Sequence, residues 1–245
     1  MVGYPAEKGF YLKGYFKGSL FNQLLPTSIG GDAYRVLENG HRIHDHKEAF
    51  YGVFIDRIAG LLGLLILNAV ALIWLPDLLP TNLSQGISII LALGFVGAIF
   101  GLTLHKLPAW HIPLWSSLQT LSRRFAQVYH NPKSIGFQLG LSVLTHLFTM
   151  LILLLLGTSL GLTFDLLVYM VVIPPVILLT LLPLSFAGWG IREGAMIGIF
   201  ALLGAPAEPI LALSIVYGIT LILASLPGLW FFIREQQWWQ KDESE

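Results

Sequence analysis

The chain alternates between long apolar runs and shorter polar stretches, and this pattern predicts its elements. Five apolar runs approach the ~20 residues that a membrane-spanning helix needs; they lie at 53–75, 86–104, 135–156, 165–182 and 209–233. A further apolar segment at 195–203 is only half as long as a span. The pattern predicts an all-α polytopic membrane protein, a single domain over 1–245, with about five to six spans plus short or re-entrant helices.

Two more polar segments repeat their apolar positions at helical spacing. The segment 1–25 predicts a short tilted or interfacial helix, too polar to span a bilayer alone. Between 113 and 130, apolar residues recur at steps of four and three, which predicts an amphipathic helix at the cytoplasmic membrane surface or under the bundle. Within the run 165–182, we expect Pro174 and Pro175 to break the helix.

Composition narrows the class of protein. Of the 245 residues, 55% are hydrophobic and 11% are charged, whereas soluble domains carry roughly 25% charged residues. The net charge of zero gives no electrostatic basis for nucleic-acid binding, and the lack of cysteine excludes disulfides and thiolate metal sites. No Walker-type phosphate loop is present, so we expect no ATP-driven transport in this chain, and we predict no cofactor and no metal.

The distribution of basic residues predicts the orientation. The loops 76–85, 157–164 and 204–208 contain no lysine or arginine, whereas 35–50 and 105–134 contain several. The positive-inside rule then places the basic segments and the C-terminus in the cytoplasm of a cell inner membrane, and both motifs described next in the cytoplasmic half. If all the spans between the two motifs cross the membrane, the motifs have the same orientation and are parallel repeats. If the fourth run is instead re-entrant, the motifs have opposite orientations and are inverted repeats. Both topologies stay open.

One sequence motif occurs twice in the chain. Residues 24–35 and 181–192 align without a gap, with Leu-Leu, Pro, Ser, Gly and Arg in common, and Glu193 follows the second copy. Paired segments interrupted by glycine and proline in two halves of a membrane protein are typical of a transporter's binding site. The alternative is a pair of similar turns at helix ends.

Few charged residues lie at membrane depth, and these are candidates for function because such charges are costly unless they are paired or hydrated. Arg35 and Arg192 occupy equivalent places in the two copies, and the planar guanidinium can bind phosphate in two places at once. The alternative is an ion-pair network that joins the two halves of the chain. The candidate substrate-binding residues are Ser28, Gly31, Asp32, Arg35, Ser185, Gly188, Arg192 and Glu193, with Asp56 and Arg57 as a supporting polar network.

Other polar residues have simpler interpretations. Ser28 and Ser185 could instead cap the helix that follows each motif. His146 lies alone in an apolar run, and we expect it to hydrogen-bond to a neighbouring helix. The run His41–His46 contains types of residue that bind metals, but no second helix turn fixes them, so we do not predict a metal site.

Three segments together resemble a known family, the lysylphosphatidylglycerol synthase transmembrane family, also called the flippase-like domain family. They are Leu-Pro-Thr-Ser-Ile-Gly-Gly-Asp-Ala-Tyr-Arg at 25–35, Asp56-Arg57, and Pro-Leu-Ser-Phe-Ala-Gly-Trp-Gly-Ile-Arg-Glu-Gly at 183–194. The resemblance covers nearly the whole chain, and it implies a multi-helix inner-membrane domain. Members of the family usually have about two further spans before the first motif, so we expect an N-terminally shortened form.

The resemblance also implies a function. The multidrug-resistance members move aminoacylated phosphatidylglycerol between leaflets, while a separate soluble domain carries out aminoacyl transfer. We therefore expect a translocator of an anionic phospholipid or polyprenyl-phosphate lipid, without a catalytic domain or catalytic residues. A second hypothesis is a non-catalytic membrane subunit that assists a soluble aminoacyl- or glycosyltransferase partner, and a third is a structural scaffold.

Overall fold

A computed structural model describes residues 8–25, 29–108, 113–182 and 185–242, and these ranges form nine α-helices without a strand. In chain order the helices are α1 (Lys8–Leu24), α2 (Gly30–Ile43), α3 (His46–Trp74), α4 (Thr81–Thr103), α5 (Pro113–Val128), α6 (Pro132–Ser159), α7 (Leu166–Thr180), α8 (Ile191–Ala201) and α9 (Ala207–Asp242). This architecture confirms the predicted all-α fold.

Four helices, α3, α4, α6 and α9, are long and apolar enough to cross a membrane. Large apolar side chains on α4 and α6, among them Leu93, Ile99, Phe137 and Leu155, are exposed on the outside of the bundle. Because an aqueous surface rarely carries such a continuous apolar face, these side chains are suited to contact lipid. The chain is therefore a multi-pass membrane protein.

The predicted fourth span has a different structure. Helix α7 has 15 residues, which is about 22 Å of helix and too short for a hydrocarbon core of about 30 Å. After a turn, α8 runs back along α7, so that Phe200 near the end of α8 packs against Phe164, which precedes α7. Helices α7 and α8 therefore form a re-entrant hairpin, called here the second hairpin, with the second motif at its tip.

Helices α1 and α2 form another hairpin, the first hairpin. The two helices run antiparallel: Gly14 faces Glu38, and the rings of Phe21 and Tyr34 stack with their centroids 4.3 Å apart. A Cβ on Gly31 would collide with the carbonyl oxygen of Gly18, so glycine allows the close contact near the tip. Residues of the first motif lie where α1 ends and α2 begins.

The two hairpins enter the bundle from opposite ends. One end, called here the basic end, holds the α2–α3 junction, the start of α6 and the last turns of α9, with Arg42, Lys47, Lys133 and Arg234. The other, the neutral end, holds the connections 75–80, 160–165 and 202–206, which lack lysine and arginine. Because the first hairpin opens at the basic end and the second at the neutral end, the motifs form an inverted repeat.

Helix α9 contacts both hairpins, the first through the middle of α1 and the second near its tip. Phe16 on α1 packs against α9 at Gly228, whereas Trp189 and Arg192 of the second hairpin meet α9 at Gly218. Ten residues separate these two positions, which is about 15 Å of helix. Both tips therefore reach the interior of the bundle, and neither hairpin crosses it.

The prolines of α7 do not break the helix, contrary to the prediction. Pro174 and Pro175 lack the N–H groups that would bond to the carbonyls of Met170 and Val171. The side-chain amide of Asn68 on α3 donates to both of these carbonyls at 3.0 Å. Because the two freed acceptors are satisfied by a neighbouring helix, α7 stays continuous from Leu166 to Thr180.

We predict that Asn68→Leu lowers the stability of the protein. The substitution leaves two buried carbonyls without donors, at about 1–3 kcal/mol for each. In a Pro174→Ala, Pro175→Ala background the restored N–H groups can serve these carbonyls, so the loss should be clearly smaller. Unfolding midpoints in detergent test this, with exposed Asn82→Leu as the control; equal losses in both backgrounds would contradict the interpretation.

Candidate functional site

The first hairpin brings four charged side chains together against α3. The Arg35 guanidinium donates to Asp56 at 2.9 Å and to Asp32 at 3.4 Å, and Asp32 also accepts from Arg57. The phenol of Tyr15 on α1 donates to Asp56, and the Arg35 guanidinium lies 4.0 Å from the centroid of the Tyr15 ring. Two arginines and two aspartates neutralise each other, so this cluster carries no net charge.

The surroundings fix the protonation of this cluster. Burial raises the pKa of Tyr15 to about 12, and the Asp56 carboxylate adds to the rise. Burial lowers the pKa of Arg35, but Tyr15, Asp56 and Asp32 outweigh that effect and raise it above its ordinary value. Tyr15 therefore remains a hydrogen-bond donor at physiological pH, and Arg35 remains a cation.

A cavity of about 410 Å³, called here the outer cavity, lies next to this cluster. It is bounded by α1, α2, α3, α5 and α6, and its charged residues extend from Glu48 to Asp56, about 12 Å along α3. An ion pair between Arg124 on α5 and Glu48 lies on the side of this cavity that is nearer the basic end of the bundle. Its polar lining consists of Tyr11, Tyr15, Arg35, Asn39, Glu48, Tyr51, Asp56, Arg124 and Gln138.

The second hairpin carries a smaller polar cluster. Arg192, only 6% exposed, donates through Nε to Ser214 at 3.0 Å and through Nη2 to Glu193 at 2.9 Å. The Ser214 hydroxyl in turn donates to Glu193 at 2.9 Å, and the Arg192 guanidinium lies 4.8 Å from the centroid of the Trp189 ring. One arginine and one glutamate again give a neutral cluster.

The backbone of the second motif explains how Arg192 reaches this position. Ala187, Gly188 and Gly190 have positive φ angles, which turn the chain sharply between α7 and α8. The Gly190 N–H donates to the Glu193 carboxylate, so Glu193 caps α8 as well as binding Arg192. Ser185 does not act as the cap, because its buried hydroxyl has no hydrogen-bond partner.

A second cavity of about 240 Å³, the inner cavity, lies beside Arg192. It is bounded by α6 to α9 and is mainly apolar. Its polar lining consists of His146, Thr149, Thr180, Arg192 and Tyr217. His146 bonds to the Gly60 carbonyl at 3.0 Å, which confirms its predicted contact with a neighbouring helix.

The two cavities follow each other along α6. Gln138 lines the outer cavity and His146 lines the inner one, and eight residues correspond to about 12 Å of helix. Between them, α3 and α6 are in close contact, because Ser142 donates to the Gly60 carbonyl at 3.2 Å and would collide with a Cβ on Gly63. This seam separates the two cavities.

The structure thus divides the predicted site residues into two groups. Asp32, Arg35, Asp56 and Arg57 form one cluster, and Arg192 and Glu193 belong to the other. Within the described residues, the two cavities have no lining residue in common. The equivalent arginines therefore belong to separate sites within the bundle.

The remaining predicted residues lie at the hairpin tips. The Gly31 N–H donates to Asn22 at 2.8 Å, and Gly188 is buried with Thr180 close to where a Cβ would stand. Ser28 lies outside the described residues. In the run 41–46, Asp45 caps α3 by accepting from the amides of Lys47 and Glu48.

Sequence reasoning missed Tyr15 and Ser214, which hold the charged residues in place. Tyr15 is one of several aromatic residues in a segment that predicts only a helix, so nothing in its spacing marks it. Ser214 could have been noticed as a hydroxyl within the apolar run 209–233. Polar residues inside such runs are rare and usually have partners.

The fold and the paired clusters define a class: a polytopic membrane protein with an inverted pair of re-entrant hairpins, each carrying an arginine beside a cavity. The family model described as lysylphosphatidylglycerol synthase TM region matches residues 1–228. The chain belongs to this family, as its motifs predict. No curated protein and no solved structure matches the chain.

We predict strong coupling between Arg35 and Asp56. Arg35→Gln leaves Asp56 without its cation, and Asp56→Asn leaves Arg35 with one carboxylate fewer, whereas the double variant loses both charges together. The stability changes should be non-additive by about 0.5–3 kcal/mol in an unfolding cycle. The control cycle of Arg35→Gln with Glu208→Gln, an exposed residue at the neutral end, should be additive; equal coupling in both cycles would contradict the direct ion pair.

Proposed function

We propose that this protein binds a phospholipid or a lipid-linked intermediate by its headgroup and moves it between the two leaflets. The observation that carries this proposal is the pair of hairpins, which enter from opposite ends and place equivalent arginines beside two successive cavities. Inverted repeats with broken helices are the recurring architecture of proteins that open alternately to the two sides of a membrane.

The lining of the cavities supports a phosphate-bearing headgroup. The planar guanidinium of arginine matches the geometry of phosphate, and Arg35 and Arg192 each reach a cavity. Each arginine is neutralised by one or two carboxylates, so a phosphate would exchange with a carboxylate rather than meet an unpaired cation. Tyr15 and Ser214 can keep the released carboxylates hydrogen-bonded during this exchange.

The exposed apolar residues at the tips support a path for the lipid tails. The repeated Leu-Leu pairs, Leu24-Leu25 and Leu181-Leu182, are exposed in both copies. At membrane depth these side chains face hydrocarbon, so acyl or polyprenyl chains can remain in the bilayer while the headgroup crosses the bundle. Movement then requires the seam at Gly60 and Ser142 to open.

The charge distribution supports an orientation for this movement. By the positive-inside rule, the basic end lies in the cytoplasm of a bacterial-type inner membrane, together with the end of α9. The outer cavity would then receive the headgroup from the cytoplasmic leaflet, and a soluble transferase acting on the lipid would supply it from that side. Anionic phospholipid and polyprenyl-phosphate lipids share the phosphate chemistry and are separate arms of the test.

We predict that Arg35→Gln and Arg192→Gln each slow lipid movement strongly while the protein remains folded. Losing one or two charge-assisted hydrogen bonds of about 1.5–3 kcal/mol each should lower the rate at least about tenfold. The measurement is scrambling of fluorescent phosphatidylglycerol, aminoacylated phosphatidylglycerol and a polyprenyl phosphate in proteoliposomes. Arg123→Gln, the same change at an exposed position on α5, is the control and should keep the wild-type rate.

Three outcomes separate the hypotheses. Loss of flipping in folded Arg35→Gln and Arg192→Gln protein, with the wild-type rate in Arg123→Gln, supports the translocator. A lower folded yield with a normal rate per folded molecule indicates the structural scaffold. No flipping of any of these lipids by folded wild-type protein contradicts the proposal and favours the accessory membrane subunit.

A further inference from the structure

A third polar cluster lies apart from both motifs, where the first hairpin packs against α9. The ammonium group of Lys17 on α1 donates to Glu38 on α2 and to Glu235 on α9. The Lys17 side chain is only 1% exposed, and Glu38 is 16% exposed. This triad therefore joins three helices through one buried cation.

The triad has one carboxylate more than its buried cation can neutralise. Lys13 lies 4.0 Å from Glu235, but both side chains of that pair are largely exposed, so its effect is screened by solvent. A further ionisable neighbour within the described residues is Tyr34, whose ring centroid lies 5.7 Å from the Lys17 Nζ atom. Two carboxylates thus share the buried Lys17 ammonium ion; Glu38 is largely buried, whereas Glu235 is 39% exposed.

One oxygen of this triad has no partner. The Oε1 atom of Glu38 accepts from Lys17, whereas its Oε2 atom is buried without a hydrogen bond. Gly14 lies on that side, where a Cβ would stand 3.4 Å from the Oε2 atom. A buried ionised oxygen without a donor is unfavourable, and a proton on that oxygen would remove the charge.

The surroundings of Glu38 also favour its protonated form. Burial raises the pKa of Glu38, Lys17 lowers it and Glu235 raises it, so that it lies above the ordinary value for glutamate. Burial lowers the pKa of Lys17, but its bonds to Glu235 and Glu38 outweigh that effect and raise it. A proton that enters the triad therefore goes to a carboxylate, while Lys17 keeps its charge.

We propose that the triad of Lys17, Glu38 and Glu235 is a proton-binding site in which the Oε2 atom of Glu38 takes up the proton. Protonation weakens the charge-assisted bond between Glu38 and Lys17, while Lys17 stays bound to Glu235. Proton occupancy thus sets how firmly α2 is held to α1 and α9. Arg35 lies one helical turn from Glu38 on α2, so the site is mechanically linked to the outer cavity.

This link supplies an energy source for the proposed lipid movement, and that part of the inference rests on the proposed function. A proton that enters the triad from one side of the membrane would loosen α2 and shift Arg35 relative to Asp56. A proton gradient could then bias the direction of transport. The proton site itself does not depend on which lipid moves.

The proton site is tested by infrared titration of the purified chain in nanodiscs. The wild-type protein should show a protonated-carboxyl band that disappears as pH rises, with a midpoint above the ordinary range for glutamate. Glu38→Gln should remove this band, and Glu208→Gln, at an exposed position, should leave it unchanged. A band that persists unchanged in Glu38→Gln overturns the proposal.

Two further variants keep the test decisive if Glu38→Gln does not fold. They keep the Glu38 carboxyl group and shift the pH midpoint of its infrared band. Lys17→Gln removes the cation that favours ionised Glu38 and should raise the midpoint by about one pH unit, whereas Glu235→Gln removes a like charge and should lower it. A purely structural triad predicts the same midpoint in both variants, which would overturn the proposal.

Stability gives an independent readout with a defined sign. Because the folded-state pKa of Glu38 is raised, the folded protein binds this proton more tightly than the unfolded chain does. Its stabilising contribution is complete below the unfolded pKa and is lost as pH rises through the folded value. Glu38→Gln should flatten this decline in the unfolding midpoint, whereas an equally steep decline would contradict the site.

The coupling to transport is measured separately, by flipping in proteoliposomes with and without a pH gradient. Wild-type protein should flip faster in one direction of the gradient, and Glu38→Gln should flip at a rate that the gradient does not change. Equal response to the gradient in both proteins overturns the coupling. Absence of flipping in wild-type protein overturns the proposed function, and the infrared midpoints still decide the proton site.

Discussion

Backbone polar groups at membrane depth have to be hydrogen-bonded within the protein, and both hairpins depend on this constraint. A chain that turns inside a membrane leaves donors and acceptors without helical partners. In the first hairpin Asn22 accepts from the Gly31 amide, and in the second Glu193 accepts from the Gly190 amide. The Asn68 side chain donates to the two carbonyls that the prolines of α7 leave free.

Charged side chains at membrane depth likewise need partners within the protein. The arginine of each motif is neutralised by carboxylates on its own hairpin, and in the first cluster also by Asp56 on α3. Such pairs offset part of the cost of burying a guanidinium group, and removing one partner leaves an uncompensated charge unless another anion replaces it. A neutral, hydrogen-bonded cluster beside a cavity is therefore compatible with both stability and transport.

The sequence predicted more of the chemistry than of the topology. The six charged residues and the repeated motif could be identified because charge, glycine and proline are rare in apolar runs. The re-entrant second hairpin was one of two topologies that the sequence left open. The continuity of α7 could not be predicted, because Pro174 and Pro175 indicate a break unless Asn68, more than 100 residues earlier, is known to face them. The separation of Arg35 from Arg192 likewise depends on long-range packing that no local pattern shows.

The central claim is that the two motifs enter the membrane from opposite sides. The chain has no cysteine, so single cysteines can report sidedness in sealed, uniformly oriented vesicles with a membrane-impermeant maleimide. Lys13→Cys on the first hairpin and Thr163→Cys before the second hairpin should be labelled from opposite sides. Gln127→Cys is the reference at the basic end and should be labelled from the same side as Lys13→Cys. Asp77→Cys is the reference at the other end and should be labelled from the same side as Thr163→Cys. Labelling of Lys13→Cys and Thr163→Cys from the same side would contradict the inverted repeat and with it the path through the two cavities.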